Sequence, residues 1–380
     1  MFDSGRPVID ATLLAIEELN SRGGVLGRQI KAIVADGKSD NGVFAREAER
    51  LLVEKQVITI FGGWSPSNRR TLKKIIEKHK SLLMFPARDE GMEDSEYIVY
   101  SGSTPNQVVT PALRFFVEQG LFKRLFVIGT DGLSSNISAH LIRDELKVYP
   151  QISVVGEQFA LLGETGFKKA IEKIKESKPD LIFNFMIGVS NPAFFRELRA
   201  AGITAKQIPT VSFAVGEPGT SADRRSGHGW GIPRGEPLPF AEDAAKPGTF
   251  VSNIRRKYGD YRVTGASMDA AYASVYLWAQ AVQAAGTDDV ARIRERLAGQ
   301  AFEAPGGKTR IDPGNHHCYK PFYLGKITDG STVEIVKSIT EPIRPEPFPA
   351  TRTRAEWEAL VEYLSKNWGG SFVNPGKPSG

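Results

Sequence analysis

Apolar residues along the chain alternate between two spacings. From Ala11 to Asn20 they fall at Leu13, Leu14, Ile16 and Leu19, the period of an amphipathic helix, which Asn20-Ser21-Arg22-Gly23-Gly24 stops. From Gln29 to Asp36 the period drops to two, with Ile30, Ala32 and Val34 on one face of a predicted strand. The pattern then predicts a helix over Val43 to Glu54, a strand over Val57 to Phe61, a helix over Arg69 to Lys80 and a strand over Leu82 to Phe85. Strict alternation of this kind predicts an α/β fold with a parallel sheet. Such a series should open with a strand, and Met1 to Pro7 is too short and too polar to be one, so the start is expected to be truncated or unusual. The first strand of a doubly wound sheet lies centrally, and without it the neighbouring backbone is expected to stay unpaired.

The pattern restarts after Thr104-Pro105. Helices are predicted over Asn106 to Glu118, Ser135 to Leu146, Thr165 to Ser177 and Pro192 to Ala201. Between them lie strands over Arg124 to Gly129, Ile152 to Gln158, Asp180 to Phe185 and Ile208 to Phe213. Residues 214 to 247 read as a loop, with ten glycines and prolines between Gly216 and Pro239. Helices over Thr249 to Lys257 and Ser267 to Ala285 follow, then strands over Thr309 to Ile311, Pro321 to Ile327 and Val333 to Ile339. A proline-rich link, Glu341 to Pro349, precedes a last helix over Arg354 to Lys366. The expected organisation is a first lobe of residues 1–105 with 240–320, a second of 106–239 with 321–349, and a tail of 350–380.

The stretch VITIFGGWSPSNRRTL, Val57 to Leu72, joins a buried strand to a helix through two glycines. Ser67 or Asn68 is positioned to cap that helix, and its first-turn N–H groups then face whatever lies above the strand ends. An ordinary capped strand-to-helix turn would look the same, so this stretch alone leaves both readings open.

Composition narrows the function classes. A chain of 380 residues exceeds one ordinary core, and 41% hydrophobic with 24% charged residues is the balance of a globular protein. The net charge of +5 is dispersed over 49 basic and 44 acidic residues without a basic block, which argues against a nucleic-acid partner. The apolar runs fall far short of the ~20 residues of a membrane helix. A single cysteine, Cys318, excludes an intrachain disulfide. No basic segment followed by an apolar one opens the chain, so the location stays open between extracytoplasmic, with a leader removed, and cytoplasmic.

Ordered motifs add a family. They are Ala15-Ile16-Glu17-Glu18-Leu19-Asn20 with Gly23-Gly24-Val25-Leu26-Gly27-Arg28, Phe61-Gly62-Gly63-Trp64, Phe85-Pro86 with Glu90-Gly91, and Thr104-Pro105-Asn106-Gln107. Gly129-Thr130-Asp131, Ser212-Phe213-Ala214-Val215-Gly216-Glu217, Ala304-Pro305-Gly306-Gly307, Asn315-His316-His317 and Pro342-Ile343-Arg344-Pro345 continue the series. Over residues 11 to 348 the chain resembles the type I periplasmic binding proteins, in the branch of urea, short-chain amide and branched-chain amino-acid receptors. The tail around Trp368-Gly369-Gly370 is similar to that of an amide-sensing member and to the ends of receptor modules fused to signalling domains.

The resemblance implies two doubly wound Rossmann-like lobes, three crossings, and a non-catalytic receptor whose cleft closes on a small polar solute. It implies the substrate-binding component of an ABC transporter, with a permease as partner. A sensor module attached to a signalling or regulatory protein is the alternative, and a homodimer is an open arrangement. No cofactor is implied. By position, the ligand would meet Trp64, Ser65 and Ser67 after the first-lobe strand, and Phe85, Ala87, Arg88 and Asp89 after the next. In the second lobe it would meet Leu133 and Ser134, Met186 and Gly188, and Gly216 and Glu217.

The chain departs from the amide pattern at Pro66, Asp89, Gly132 and Leu133, where hydroxyl and aromatic residues are expected. Arg88 beside Asp89 could read a carboxylate and an amine instead, and a surface ion pair is the competing reading. Other chemistry is poorly supported. His316-His317-Cys318 lacks a second ligand cluster for a metal, and adjacent residues point apart. Gly227-His228-Gly229-Trp230-Gly231 lacks the flanking strand and helix of a dinucleotide loop. No nucleophile elbow or phosphate loop occurs, so an enzyme is disfavoured.

Overall fold

The computed structural model describes residues 2–213, 230–231, 248–259, 264–327 and 333–376. Contacts divide the chain into two compact units, Met1–Thr104 with Glu236–Pro321 and Thr340–Pro347, and Pro105–Gly235 with Phe322–Ile339 and Phe348–Gly380. Among the described residues no helix is long and apolar enough to cross a membrane.

The first unit opens on helix α1 (Phe2–Ser21), which begins well before the expected Ala11 and carries Pro7 inside it. Helix α2 (Asn41–Glu49) runs into a π-helical turn over Arg50–Glu54. Strands β1 (Ile60–Phe61), β2 (Leu83–Phe85) and β3 (Ile98–Tyr100) form a parallel sheet in that order, with helix α3 (Pro66–Lys78) between β1 and β2.

The strand expected over Gln29 to Asp36 is absent. Residues 31–37 have no regular structure, and Ile33 and Val34 are 38% and 58% exposed. An alternating sequence becomes a strand only when a neighbouring backbone takes its N–H and C=O groups, and the described residues supply none to this segment. The next strand has shrunk for the same reason, to two residues bonded to β2 on one edge.

After the second unit the chain returns as α8 (Phe250–Tyr258), α9 (Ala266–Ala285) and α10 (Val290–Leu297). Helix α9 is apolar nearly all round, and its buried Met268, Ala271, Tyr272 and Val275 pack with Ala11, Leu14 and Ala15 of α1. Strands β9 (Ala301–Ala304) and β10 (Gly307–Ile311) form an antiparallel ladder with the first residues of a later strand, β11 (Cys318–Ile327).

The second unit holds α4 (Pro105–Glu118), β4 (Arg124–Thr130), α5 (Leu133–Leu146), β5 (Ser153–Ala160), α6 (Lys168–Ser177), β6 (Leu181–Phe185), α7 (Ser190–Ala200) and β7 (Thr210–Ser212). Strand order is β5-β4-β6-β7-β8, all parallel, and β8 (Trp230–Gly231) pairs antiparallel with Gly325 and Lys326 of β11. The sheet is doubly wound. On one face Phe126, Ile128 and Ile182 pack with α6 and α7, and on the other Phe183 meets Phe116 of α4, ring centroids 6.2 Å apart. The unit is completed by residues of β12 (Val333–Ile343), which pairs with β11, and by α11 (Arg354–Asn367).

Candidate ligand-binding loops

In parallel α/β sheets, ligands are held outside the carboxyl ends of the strands. In the first unit those ends lead into two turns. After β1, Gly62 and Gly63 take φ of 134° and 88°, which a side chain would strain. A Cβ on Gly63 would also lie 3.0 Å from the Phe85 ring. The turn therefore runs close over β2.

Helix α3 starts earlier than expected, and the capping residue is Ser65 in place of Ser67 or Asn68. Ser65 Oγ accepts the Asn68 N–H at 3.2 Å, and Asn68 Oδ1 accepts the N–H groups of Trp64 and Ser65, each at 3.0 Å. Pro66 at the first helical position favours this start, because its missing N–H needs no partner there. Ser67 Oγ accepts from Asn41 Nδ2 at 2.6 Å. The donors of this turn are thus largely engaged, and what it offers outward is the half-buried Trp64, which packs against two of the unit's hydrophobic clusters.

After β2, Phe85 and Ala87 are buried. Arg88 is half-buried. Asp89 is 2% exposed and faces inward, its carboxylate accepting the Gly91 N–H at 2.6 Å and lying 3.9 Å from His317 Nε2. It therefore stands in a buried polar network. Arg69, with no exposed surface, donates to Glu90 at 2.8 and 3.3 Å and to Glu93 at 2.8 Å. Arg70 reaches both glutamates, and the Tyr100 hydroxyl donates to Glu93 at 3.0 Å. His317 stacks on Tyr100, ring centroids 4.1 Å apart.

Two arginines balance two glutamates, and Asp89 is a third buried carboxyl beside them. Burial pushes its carboxyl up to about 7 against the pull of Arg69. Burial also holds His317 down to about 4. Glu93 stays ionised: burial opposes its charge, but Arg69 and Arg70 bring it down to about 2. The Arg69–Glu90–Glu93 network was not expected from the sequence, although a two-arginine start to α3 opposite two glutamates was its visible trace. The neighbouring His316 and Cys318 do not join His317 as ligands. His316 bonds the Ser95 carbonyl, Cys318 lies in a hydrophobic cluster, and no group among the described residues could hold a metal.

In the second unit the loops after β4 and β6 are tied together by the Ile187 N–H, which donates to Thr130 Oγ1 at 3.1 Å. Leu133 and Met186 are buried in the unit, at 1% and 0% exposure, and the Met186 N–H donates to Asn184 Oδ1 at 2.9 Å. Ser134 is half-buried, and Gly188, at φ 63°, is exposed. Ile187 and Val189 beside it are 38% and 62% exposed, an apolar rim at the strand ends. Gly216 and Glu217 lie outside the described residues.

The chain is similar to a solute-binding protein of an ABC transporter from R. palustris in complex with 4-hydroxybenzoate, at 20% identity over 89% of this chain and 94% of that one, TM-score 0.78. A second R. palustris solute-binding protein, in complex with benzoate, gives TM-score 0.74 at 18% identity over 90% of this chain and 94% of that one. The branched-chain amino-acid transporter substrate-binding protein LivJ from Streptococcus pneumoniae, in complex with isoleucine, gives 0.75 at 22% over 90% and 94%. Identities this low show a shared fold. Residues 1–354 match the family described as periplasmic binding protein domain, and the chain belongs to that family.

Proposed function

We propose that the chain is a non-catalytic solute receptor, the substrate-binding component of an ABC transporter working outside the cytoplasm, and that its ligand is a small carboxylate with an apolar body. The observation that carries the ligand class is the chemistry left outward at the strand ends. Trp64 and Arg88 are half-buried at the first unit's loops, and Ile187 and Val189 form an exposed apolar rim on the second unit's. An aromatic ring and a cation on one unit suit a carboxylate attached to a ring, and an aliphatic rim on the other suits an apolar body. A small amide or urea would ask for the hydroxyl that is missing at Pro66, the aromatic missing at Asp89 and the tyrosines missing at Gly132 and Leu133. The bound molecules of the three structural relatives, two benzoates and an isoleucine, support the same class.

Calorimetric titration with benzoate, 4-hydroxybenzoate, isoleucine, acetamide and urea tests this. Saturable binding of a carboxylate without turnover is expected. Binding of acetamide or urea alone would return the ligand to the amide class, and turnover would make the protein an enzyme.

A further inference from the structure

The C-terminal residues beyond the family match return to one of these loops. Helix α11 is anchored to α5 of the same unit by Arg352, whose guanidinium bonds the buried Asp144 carboxylate and lies 3.1 Å from His140 Nδ1. Trp357 is fully buried, and its Nε1 donates to the Pro349 carbonyl at 2.8 Å. After Trp368 the chain turns through Gly369 and Gly370, and Val373 forms an antiparallel bridge with Gly132.

The Leu133 N–H donates to the Phe372 carbonyl at 3.0 Å, and the Asn374 N–H donates to the Asp131 carbonyl at 2.9 Å. Asn374 Nδ2 donates to Asp131 Oδ2 at 2.6 Å, while Asp131 Oδ1 accepts from Asn136 at 3.3 Å. Gly132 admits this approach, since a Cβ there would lie 3.3 Å from Val373 Cγ2. Gly376 then comes against Leu161, after β5.

We propose that Ser371–Gly376 is a built-in strap that occupies the Asp131–Ser134 loop, so that a ligand reaches this loop by displacing the chain's own tail. The proposal rests on the receptor reading above. Two backbone bonds and one side-chain bond already use the groups through which Asp131 and Leu133 would meet a solute. The competitor is tethered, so its effective concentration at the loop is on the order of millimolar, and a solute must bind against it. The anchor and the strap are separable, because Arg352 and Trp357 hold α11 without residues 371–376.

Two variants test the strap, Asn374→Ala in the full chain and a chain ending at Gly370. Benzoate and isoleucine are titrated into each and into the parent, and amide exchange is followed over residues 130–136 and 371–376. Truncation is expected to raise affinity at least tenfold and Asn374→Ala severalfold, with faster exchange at Leu133 in both. Saturating benzoate or isoleucine should speed exchange at Asn374 in the parent. Unchanged or weaker binding after truncation, in a chain whose circular dichroism matches the parent, would overturn the strap and leave the receptor reading standing. Failure of the parent and both variants to bind either probe would instead overturn the receptor reading, and the strap with it.

Discussion

At the scale of residues, the first unit's loops contain two charges that the sequence places side by side and the fold separates. Arg88 stays at the loop surface, half-buried, while Asp89 turns into the Arg69–Glu90–Glu93 network. Removing Arg88 should therefore weaken a carboxylate ligand and leave a neutral one nearly unaffected. Arg88→Ala is expected to cost a carboxylate about 1.5–3 kcal/mol, the range for a hydrogen bond to a charged group. Titration with benzoate and with acetamide checks it, and an equal loss for both would take Arg88 out of the site.

Asp89 predicts a pH effect on stability. Its folded pKa of about 7 lies above the ordinary carboxyl value of 3.8, so its contribution is full below 3.8 and is lost as pH rises through about 7. His317 acts in the opposite sense between the ordinary imidazole value of 6.5 and about 4, where stability falls as pH falls. Above pH 6.5 the Asp89 effect stands alone of the two. Asp89→Asn should then flatten the decline, with a melting temperature that drops less than the parent's between pH 6.5 and 8.5. Parallel melting curves over that range would show that Asp89 is ionised throughout in the folded protein.

At the scale of elements, what the sequence displayed was periodicity, and what it concealed was partnership. Strands β4, β6 and β7 were legible because buried parallel strands read as apolar runs between helices, and the half-buried edge strand β5 because Val154 and Val155 lie between two helical patterns. The segment 29–36 has the same alternation and forms no strand, since no pattern within a segment states whether a neighbouring backbone exists to pair with it. Short elements were missed for a related reason. Strand β3 has three residues, and α10 has eight, although Asp289 caps α10 and Ile293 and Leu297 mark its buried face.

The cap of α3 lies two or three residues before the expected Ser67 or Asn68 because Ser65, Ser67 and Asn68 all suit the position, and Pro66 after Ser65 decides it. The unpaired segment gives a direct prediction. Amides of residues 31–37 should exchange orders of magnitude faster than those of β2, whose Leu83 N–H is bonded to the Tyr97 carbonyl at 2.9 Å. Equal protection of the two segments in solution would mean that 31–37 has found a partner strand.

The tail helix belongs to this scale as well. Asp144 is 7% exposed and is paired with Arg352, while Lys147, its other partner, is 71% exposed at the side chain. The inner pair should carry the anchoring of α11. Arg352→Ala is expected to lower stability by about 1–3 kcal/mol through the buried carboxylate it leaves short of a partner, and Lys147→Ala by about 0.5 kcal/mol, as for exposed pairs. Denaturant midpoints of the two variants decide the order, and equal effects would show that α11 is held by Trp357 packing alone.

On the scale of the whole molecule, neither unit is a continuous piece of chain. The second is assembled from three segments, and its later ones bring residues that are buried: Phe322 at 1% and Leu324 at 0% exposure from β11, and Trp357 at 0% from α11. Strand β8 also depends on a distant segment, since it bonds β7 on one edge and β11 on the other. A fragment of residues 105–213 would keep β4 to β7 with their helices, so its local helical and strand preferences would remain. It would lose Trp357, Phe322 and Leu324, and each fully buried large apolar side chain contributes about 1.5–3 kcal/mol. Domains are stable by about 5–15 kcal/mol in total, so three such losses approach the whole margin. The fragment is therefore expected to show secondary structure by far-ultraviolet dichroism with a weak near-ultraviolet signal and dye binding to exposed apolar surface. Sharp, cooperative melting of residues 105–213 on their own would show that the returning segments are additions to a core already complete without them.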